Sequence, residues 1–321
     1  MKILAADSFY PEGLEQLRQE GFEVIEHRIS REHLADFINS EGIEGILVRS
    51  STQLDQELLS LCPNLKLIGR GGIGTDNIDL TYCQRAGIQV VTTPGASSRS
   101  VAELVFAHFF SMARHLHESN RLMPLEGESR FLELKKEFAR AFELEGKTLG
   151  IIGLGNIGKE VARMGTALGM RIKVLTRTER TETLELRFHA LPPVAFQLQT
   201  QTDMESFLSD LDFLSIHTPK TEGYLLDQRE FAWMKEGIYI VNTARGGVLN
   251  EVELLEQIEA GHIQGAALDV FETEPQPEVQ ILMNPALSLS PHLGGNTVEA
   301  QEKISRELAR QIIEIKDQLL R

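Results

Sequence analysis

The sequence predicts an α/β protein of two domains, each a parallel sheet wound with helices. Three observations carry that prediction. The 321 residues exceed what one small core organises. Short apolar runs alternate with amphipathic stretches along most of the chain, the pattern of βαβ units. Near the middle, one apolar run enters the glycine-rich turn GLGNIG and then a helical pattern.

In chain order, the first hundred residues place strands at 2–6, 22–26, 45–48, 65–69 and 88–92, with helices at 11–19, 31–40, 55–61 and 80–85. Pro11 is suited to open the first helix, and Gly21 and Gly87 to close theirs. Ser97 or Ser100 caps a long helix, VAELVFAHFFSMARHLHESN, which is apolar around most of its circumference. Such a helix is buried or packs on a second subunit, so a homodimer is expected. Residues 124–144 are polar and read as a surface excursion. A second alternating region places strands at 148–152, 172–175, 213–217, 238–242, 265–268 and 286–289, before one amphipathic helix over 298–320. The insertion LELRFHALPPVAFQLQTQT alternates with period 2 on both sides of Pro192 and Pro193, predicting an added β-hairpin.

Composition narrows the function classes. A net charge of −15 disfavours nucleic acid and anionic membrane as partners. No apolar run approaches the roughly 20 residues that cross a bilayer. The N-terminal MKILAADSFY lacks a leader's longer apolar core, and Cys62 and Cys83 are too few for a disulfide framework. A cytoplasmic location is therefore expected, with no metal site. An acidic chain that takes a small anion must build a local positive pocket, which gives priority to arginines beside glycine-rich turns.

The turn Gly153-Leu154-Gly155-Asn156-Ile157-Gly158 sits between a strand and a helix, the context that makes a GxGxxG pattern a dinucleotide cradle. Gly153 permits the tight turn, Gly155 lets a pyrophosphate approach the backbone, and Gly158 lets helix and strand pack. The helix N-terminus offers N–H groups to phosphate. The acid expected about 20 residues on, which binds ribose hydroxyls and repels a 2′-phosphate, is missing. Thr176 and Arg177 stand there instead, so NADP is as open as NAD.

The segments VNTARGGVLNE, GAALDVFETEP and SPHLGGNTVEAQ, in that order, resemble the D-isomer-specific 2-hydroxyacid dehydrogenase family. Upstream, LVRSSTQLD, GRGGIGTDNIDL and TTPGASSRSVAELVFA look most like its phosphoglycerate dehydrogenase branch. The resemblance covers nearly the whole chain. It implies two doubly wound domains with the active site in a cleft between them. Residues 1–98 and 293–321 would form a flavodoxin-like substrate domain, and 99–292 a Rossmann cofactor domain.

Hydride exchange between C2 of a hydroxy acid and nicotinamide needs a base for the hydroxyl proton, a cation for the carboxylate and C2 oxygen, and a group that orients the base. His292 has a suitable titration range. By resemblance, Glu274 orients its imidazole and Arg245 grips the carboxylate with a planar fork. Each would be unremarkable outside its motif. The resemblance further lines the cofactor site with His217, Thr218, Pro219, Thr243, Ala244, Asp269 and Gly294, Asp269 toward the nicotinamide carboxamide. Gly71, Gly72 and Ile73 would offer backbone N–H groups to the substrate carboxylate. Arg49 and Arg70 would bind the distal phosphate of 3-phosphoglycerate. The expected reaction is then 3-phosphoglycerate to 3-phosphohydroxypyruvate, the opening step of serine synthesis, without feedback through a C-terminal regulatory domain. The alternatives are an NADPH-dependent glyoxylate or hydroxypyruvate reductase and, from another class, an NAD(H)-sensing co-repressor-like binding protein.

Overall fold

The computed structural model describes residues 1–319. Residues 1–98, with those from 295 onward, form one compact unit, and Arg99–Gly294 form the other. Among the described residues no helix is long and apolar enough to cross a membrane.

The first unit opens with β1 (Lys2–Ala5), α1 (Pro11–Gln19), β2 (Glu23–Glu26), α2 (Arg31–Ser40), β3 (Gly45–Val48), α3 (Gln56–Ser60), β4 (Leu67–Arg70), α4 (Leu80–Ala86) and β5 (Gln89–Thr92). The five strands are parallel in the order β2-β1-β3-β4-β5. That is the flavodoxin-like winding expected, with its switch point between β1 and β3. The central strands β1, β3 and β4 bury both faces. Leu4, Ile46 and Ile68 meet Leu34, Ile38 and Leu58 on one side. Ile3, Leu47 and Leu67 meet Leu14 and Leu17 on the other. Near-continuous apolar strands are what a doubly covered parallel sheet requires.

The second unit is built from α5 (Ser98–Ala113, whose first residue belongs to the first unit), α6 (Leu116–Glu137), β6 (Thr148–Ile152), α7 (Asn156–Ala167), β7 (Arg171–Leu175), β8 (Thr181–Leu186), β9 (Val194–Gln201), α8 (Met204–Leu208), β10 (Phe213–Ile216), α9 (Gln228–Ala232), β11 (Ile238–Asn242), α10 (Glu251–Glu259), β12 (Ile263–Leu268), α11 (Val279–Met283) and β13 (Leu287–Leu289). Its eight strands run β13-β12-β11-β10-β6-β7-β9-β8, a Rossmann order with extensions at both ends. The predicted hairpin forms: β8 and β9 pair antiparallel from Thr181↔Gln199 to Leu186↔Val194. It is also part of the sheet, because the end of β9 pairs parallel with β7. A strand thus stands where a crossover helix usually links the second and third strands of such a sheet.

Three helical expectations need correction. The helix foreseen over 101–120 starts earlier, at Ser98, and breaks at Arg114-His115, where His115 takes a left-handed φ of 51°. Ser100 does not cap it, since its hydroxyl donates to Gly294 O at 2.7 Å. Residues 124–144 do lie mostly at the surface, but as helix rather than as an excursion from the fold: α6 carries on through Pro124 to Glu137. Arg130 leaves helical geometry there, and its guanidinium pairs with Glu126 and Glu133, so ion pairs on an exposed helix replace an apolar stripe.

The chain then returns to the first unit with α12 (Val298–Glu314) and α13 (Lys316–Leu319). The single helix expected over 298–320 is interrupted at Ile315, and Leu320 lies outside the described residues. Leu308 and Ile312 of α12 complete the core around Ile3, Leu14 and Leu17. The Ser305 hydroxyl donates to Tyr10 O at 2.7 Å, fixing α12 against the start of α1.

Candidate active site

In the second unit, the predicted residues follow the carboxyl ends of parallel strands: Gly153 after β6, His217 after β10, Arg245 after β11, Asp269 after β12 and His292 after β13. That edge is where open α/β sheets bind ligands. Asn242 builds the turn at Arg245. Buried to 1% exposure, it accepts from Ala244 N at 3.0 Å and donates to Arg245 O at 2.9 Å. The Arg245 Nη1 folds back onto Ala244 O at 2.6 Å.

His292 and Glu274 meet directly, Nδ1 to Oε2 at 2.9 Å. The other carboxylate oxygen accepts from Phe271 N at 3.0 Å, which aims the group. The Glu274 hydrogen bond raises the His292 pKa above the ordinary imidazole value, against the opposing effects of burial and of the Arg245 charge. Burial pushes the Glu274 carboxyl up, but the His292 and Phe271 hydrogen bonds and the Arg245 charge outweigh it and hold it below the usual range. Arg245 therefore acts electrostatically on both partners, so the three groups share one neighbourhood.

His292 has a φ of 55°, the left-handed region that costs a non-glycine residue about 1–2 kcal/mol. Its surroundings over-determine it. His292 N donates to Ser290 O at 3.1 Å, while Asp269 accepts from Leu293 N at 2.7 Å and Gly294 N at 2.8 Å. Asp269, 1% exposed, also accepts from the Ser290 hydroxyl at 2.6 Å. The residue foreseen as a ligand for nicotinamide is thus also the clamp on the loop that carries His292.

The glycine turn fits a dinucleotide. Gly153 has a φ of +93°, and a Cβ there would lie 2.4 Å from His217 O. A Cβ on Gly158 would lie 2.1 Å from Gly153 O, whereas one on Gly155 would meet nothing within 4 Å. The open position is the one a pyrophosphate must approach. Asn156 and Ile157 form the first turn of α7 beyond it. Nearby strand ends carry shielded polar atoms without hydrogen-bond partners: His217 Nδ1, Thr218 Oγ1 and Thr243 Oγ1. Burial holds the His217 imidazole neutral, with a pKa pushed down to about 3, and its Nε2 lies 2.8 Å from Ser215 Oγ. Pro219 is exposed beyond it, and Ala244 is buried. At the end of β7, the Thr176 hydroxyl donates to Thr178 O at 2.8 Å, so toward a ligand it can only accept. Arg177 is exposed and makes no hydrogen bond or ion pair among the described residues.

The first unit has its own polar edge. Arg49 and Arg70 end or follow the adjacent strands β3 and β4, and Gly71, Gly72 and Ile73 come next. Arg49 Nη2 donates to Asn296 Oδ1 at 3.1 Å, and burial lowers its pKa while the Asp7 charge opposes that. Arg70 Nη1 donates to Gly71 O at 3.1 Å. Asp7, across the β1/β3 switch point, accepts from Arg49 N and the Ser51 and Thr52 hydroxyls. A cavity of about 380 Å³ opens here, lined by Asp7, Ser8, Arg28, Arg49, Ser50 and Asn296 among others. Sequence reasoning passed over Arg28 and Asn242. A cation just after a parallel strand, and an Asn closing one, were the available signals.

With this geometry in place, similarity to known proteins is decisive. Residues 106–294 match the family model "D-isomer specific 2-hydroxyacid dehydrogenase, NAD binding domain". The chain belongs to this family. Its members are oxidoreductases that work with a nicotinamide dinucleotide, and the dehydrogenase described here shares their two-domain α/β fold. It is 35% identical over 301 residues to a hydroxypyruvate reductase of Thermotoga maritima, covering 92% of each chain. It is 33% identical over 322 residues to D-3-phosphoglycerate dehydrogenase of Bacillus subtilis, covering 98% of this chain but 56% of that protein. Among solved structures, a glyoxylate reductase from Paecilomyes thermophila superposes with a TM-score of 0.81 at 27% identity, over 98% of this dehydrogenase and 95% of that chain.

Proposed function

We propose that this dehydrogenase exchanges a hydride between a nicotinamide dinucleotide and C2 of a small D-2-hydroxy acid, with His292, Glu274 and Arg245 as its catalytic set. The observation that carries the reading is the 2.9 Å His292–Glu274 bond beside the Arg245 charge, in the unit that also holds the dinucleotide turn. The dinucleotide, when bound, supplies or accepts the hydride. His292 presents Nε2 as proton donor in reduction and as acceptor in oxidation, because Nδ1 is committed to Glu274. Arg245 neutralises the substrate carboxylate and polarises the C2 oxygen. Gly153, Gly155, Asn156, Ile157 and Gly158 hold the pyrophosphate. His217, Thr218, Pro219, Thr243, Ala244, Asp269 and Gly294 line the nicotinamide half.

For substrate, Arg49 and Arg70 support 3-phosphoglycerate and 3-phosphohydroxypyruvate, since two cations at one sheet edge suit a dianion. Gly71, Gly72 and Ile73 would hold its carboxylate. A second reading, an NADPH-dependent glyoxylate or hydroxypyruvate reductase, is favoured by Arg177. It stands where an acid would exclude the 2′-phosphate, and it has no hydrogen-bond or ion-pair partner among the described residues. A homodimer and a cytoplasmic setting accompany either reading.

Initial rates with NADH and NADPH on glyoxylate, hydroxypyruvate and 3-phosphohydroxypyruvate separate the readings. If Arg49 and Arg70 read phosphate, R49A and R70A lose activity on the phosphorylated acid at least tenfold more than on hydroxypyruvate. Equal losses remove the phosphoglycerate assignment. Absence of turnover on all three acids, with tight dinucleotide binding, removes the enzyme reading in favour of a binding protein.

A further inference from the structure

Helix α5 buries a stripe that includes Val101, Val105, Phe109 and Met112. His108 shares that buried side at 6% exposure. An imidazole there costs free energy unless both ring nitrogens are satisfied, and here both are. Nδ1 lies 2.9 Å from Ser288 Oγ and Nε2 lies 3.0 Å from Ser290 Oγ, both serines being buried as well.

The proton positions follow by elimination. Ser290 has one hydroxyl proton, and it goes to the Asp269 carboxylate, which can only accept. Ser290 Oγ must therefore accept from His108, which places a proton on Nε2. Burial lowers the His108 pKa, with the Asp269 charge raising it and His117 lowering it further, so the ring is neutral and Nδ1 accepts from Ser288. The result is a directed chain, His108 Nε2–H to Ser290 Oγ–H to Asp269. Asp269 then accepts from Leu293 N and Gly294 N, the two residues after His292.

We propose that His108 is a positioning residue: through Ser290 and Asp269 it fixes the backbone that holds His292 in its left-handed conformation and keeps Nδ1 on Glu274. The chain is buried and each donor polarises the next, so removing its first member loosens the rest. A core that only needed filling would be served by leucine at this position. The proposal rests on the reading of His292 as the proton-transfer group, but its test does not depend on turnover.

The experiment is ¹⁵N-histidine NMR of the full chain, with kinetics on the same variants. In the wild type, His108 shows a neutral ring with its proton on Nε2 at about pH 7 and titrates only below the ordinary imidazole value. In H108L, the His292 titration midpoint moves down toward the free-imidazole value, because its bond to Glu274 is no longer held. There kcat falls about tenfold, while KM for cofactor and keto acid stays within about twofold. H108Q carries an amide donor near the position of Nε2 and recovers most of both effects, whereas S290A behaves like H108L. If H108L does not fold, S290A and H108Q decide the matter. An unchanged His292 titration in S290A and H108L, or a loss that H108Q does not relieve, overturns the proposal and leaves His108 as packing. Should the wild type reduce no 2-keto acid, the reaction reading fails while the titration still judges this one.

Discussion

Glu274 and His292, eighteen positions apart, share one hydrogen bond of 2.9 Å, and each moves the other's titration: the imidazole up, the carboxyl down. With His292 as the proposed proton donor, reduction needs the imidazolium, so its rate falls as pH rises through the raised His292 pKa. Oxidation needs the neutral ring and rises over the same interval. In E274Q the charge that raises His292 is gone, so both limbs move to lower pH. H292A lowers kcat by about 10²–10⁴-fold. The pH dependence of kcat in both directions checks this. Limbs that stay in place in E274Q would detach Glu274 from the proton-transfer step.

Arg177 is the cation at the end of β7, and Thr176 beside it has spent its proton on Thr178. With one charge-assisted contact at stake, R177A raises KM for NADPH about tenfold, ~1.4 kcal/mol, and leaves NADH within twofold. R177D extends the discrimination by repulsion. Parallel effects on the two cofactors would show that Arg177 does not contact the 2′-phosphate.

The turn glycines predict a split between stability and binding. G158A forces a Cβ to within 2.1 Å of Gly153 O and costs about 1–3 kcal/mol, read as a Tm lowered by several degrees. G155A meets nothing of the protein, so Tm stays put while dinucleotide Kd rises steeply. Calorimetry and fluorescence titration of the two variants make the comparison. Tight cofactor binding by G155A would contradict a pyrophosphate seated there.

Strands and turns were largely legible from the chain, because parallel strands buried on both faces read as apolar runs and glycine marks their exits. Predicted and observed strand edges differ by one or two residues where they differ. The helix break at His115 was not legible, since a left-handed residue without glycine or asparagine leaves no local sign. Nor was the passage of α6 through Pro124, where ion pairs around Arg130 support a helix lacking an apolar stripe. At the site, motif residues were visible, but their supports were not. His108 looks like core, and Asn242 like a strand end, until residues from β13 and the Arg245 turn arrive beside them.

Helix α12 supplies Leu308 and Ile312 to a core begun by Ile3 and Leu14, with all of Arg99–Gly294 synthesised in between. A ribosome that has released only those earlier residues carries one contiguous unit able to close and another with an uncovered apolar wall. Vectorial synthesis therefore imposes an order: the nucleotide-turn unit matures first, and the N-terminal sheet stays sticky until residues 298–314 emerge to seal it.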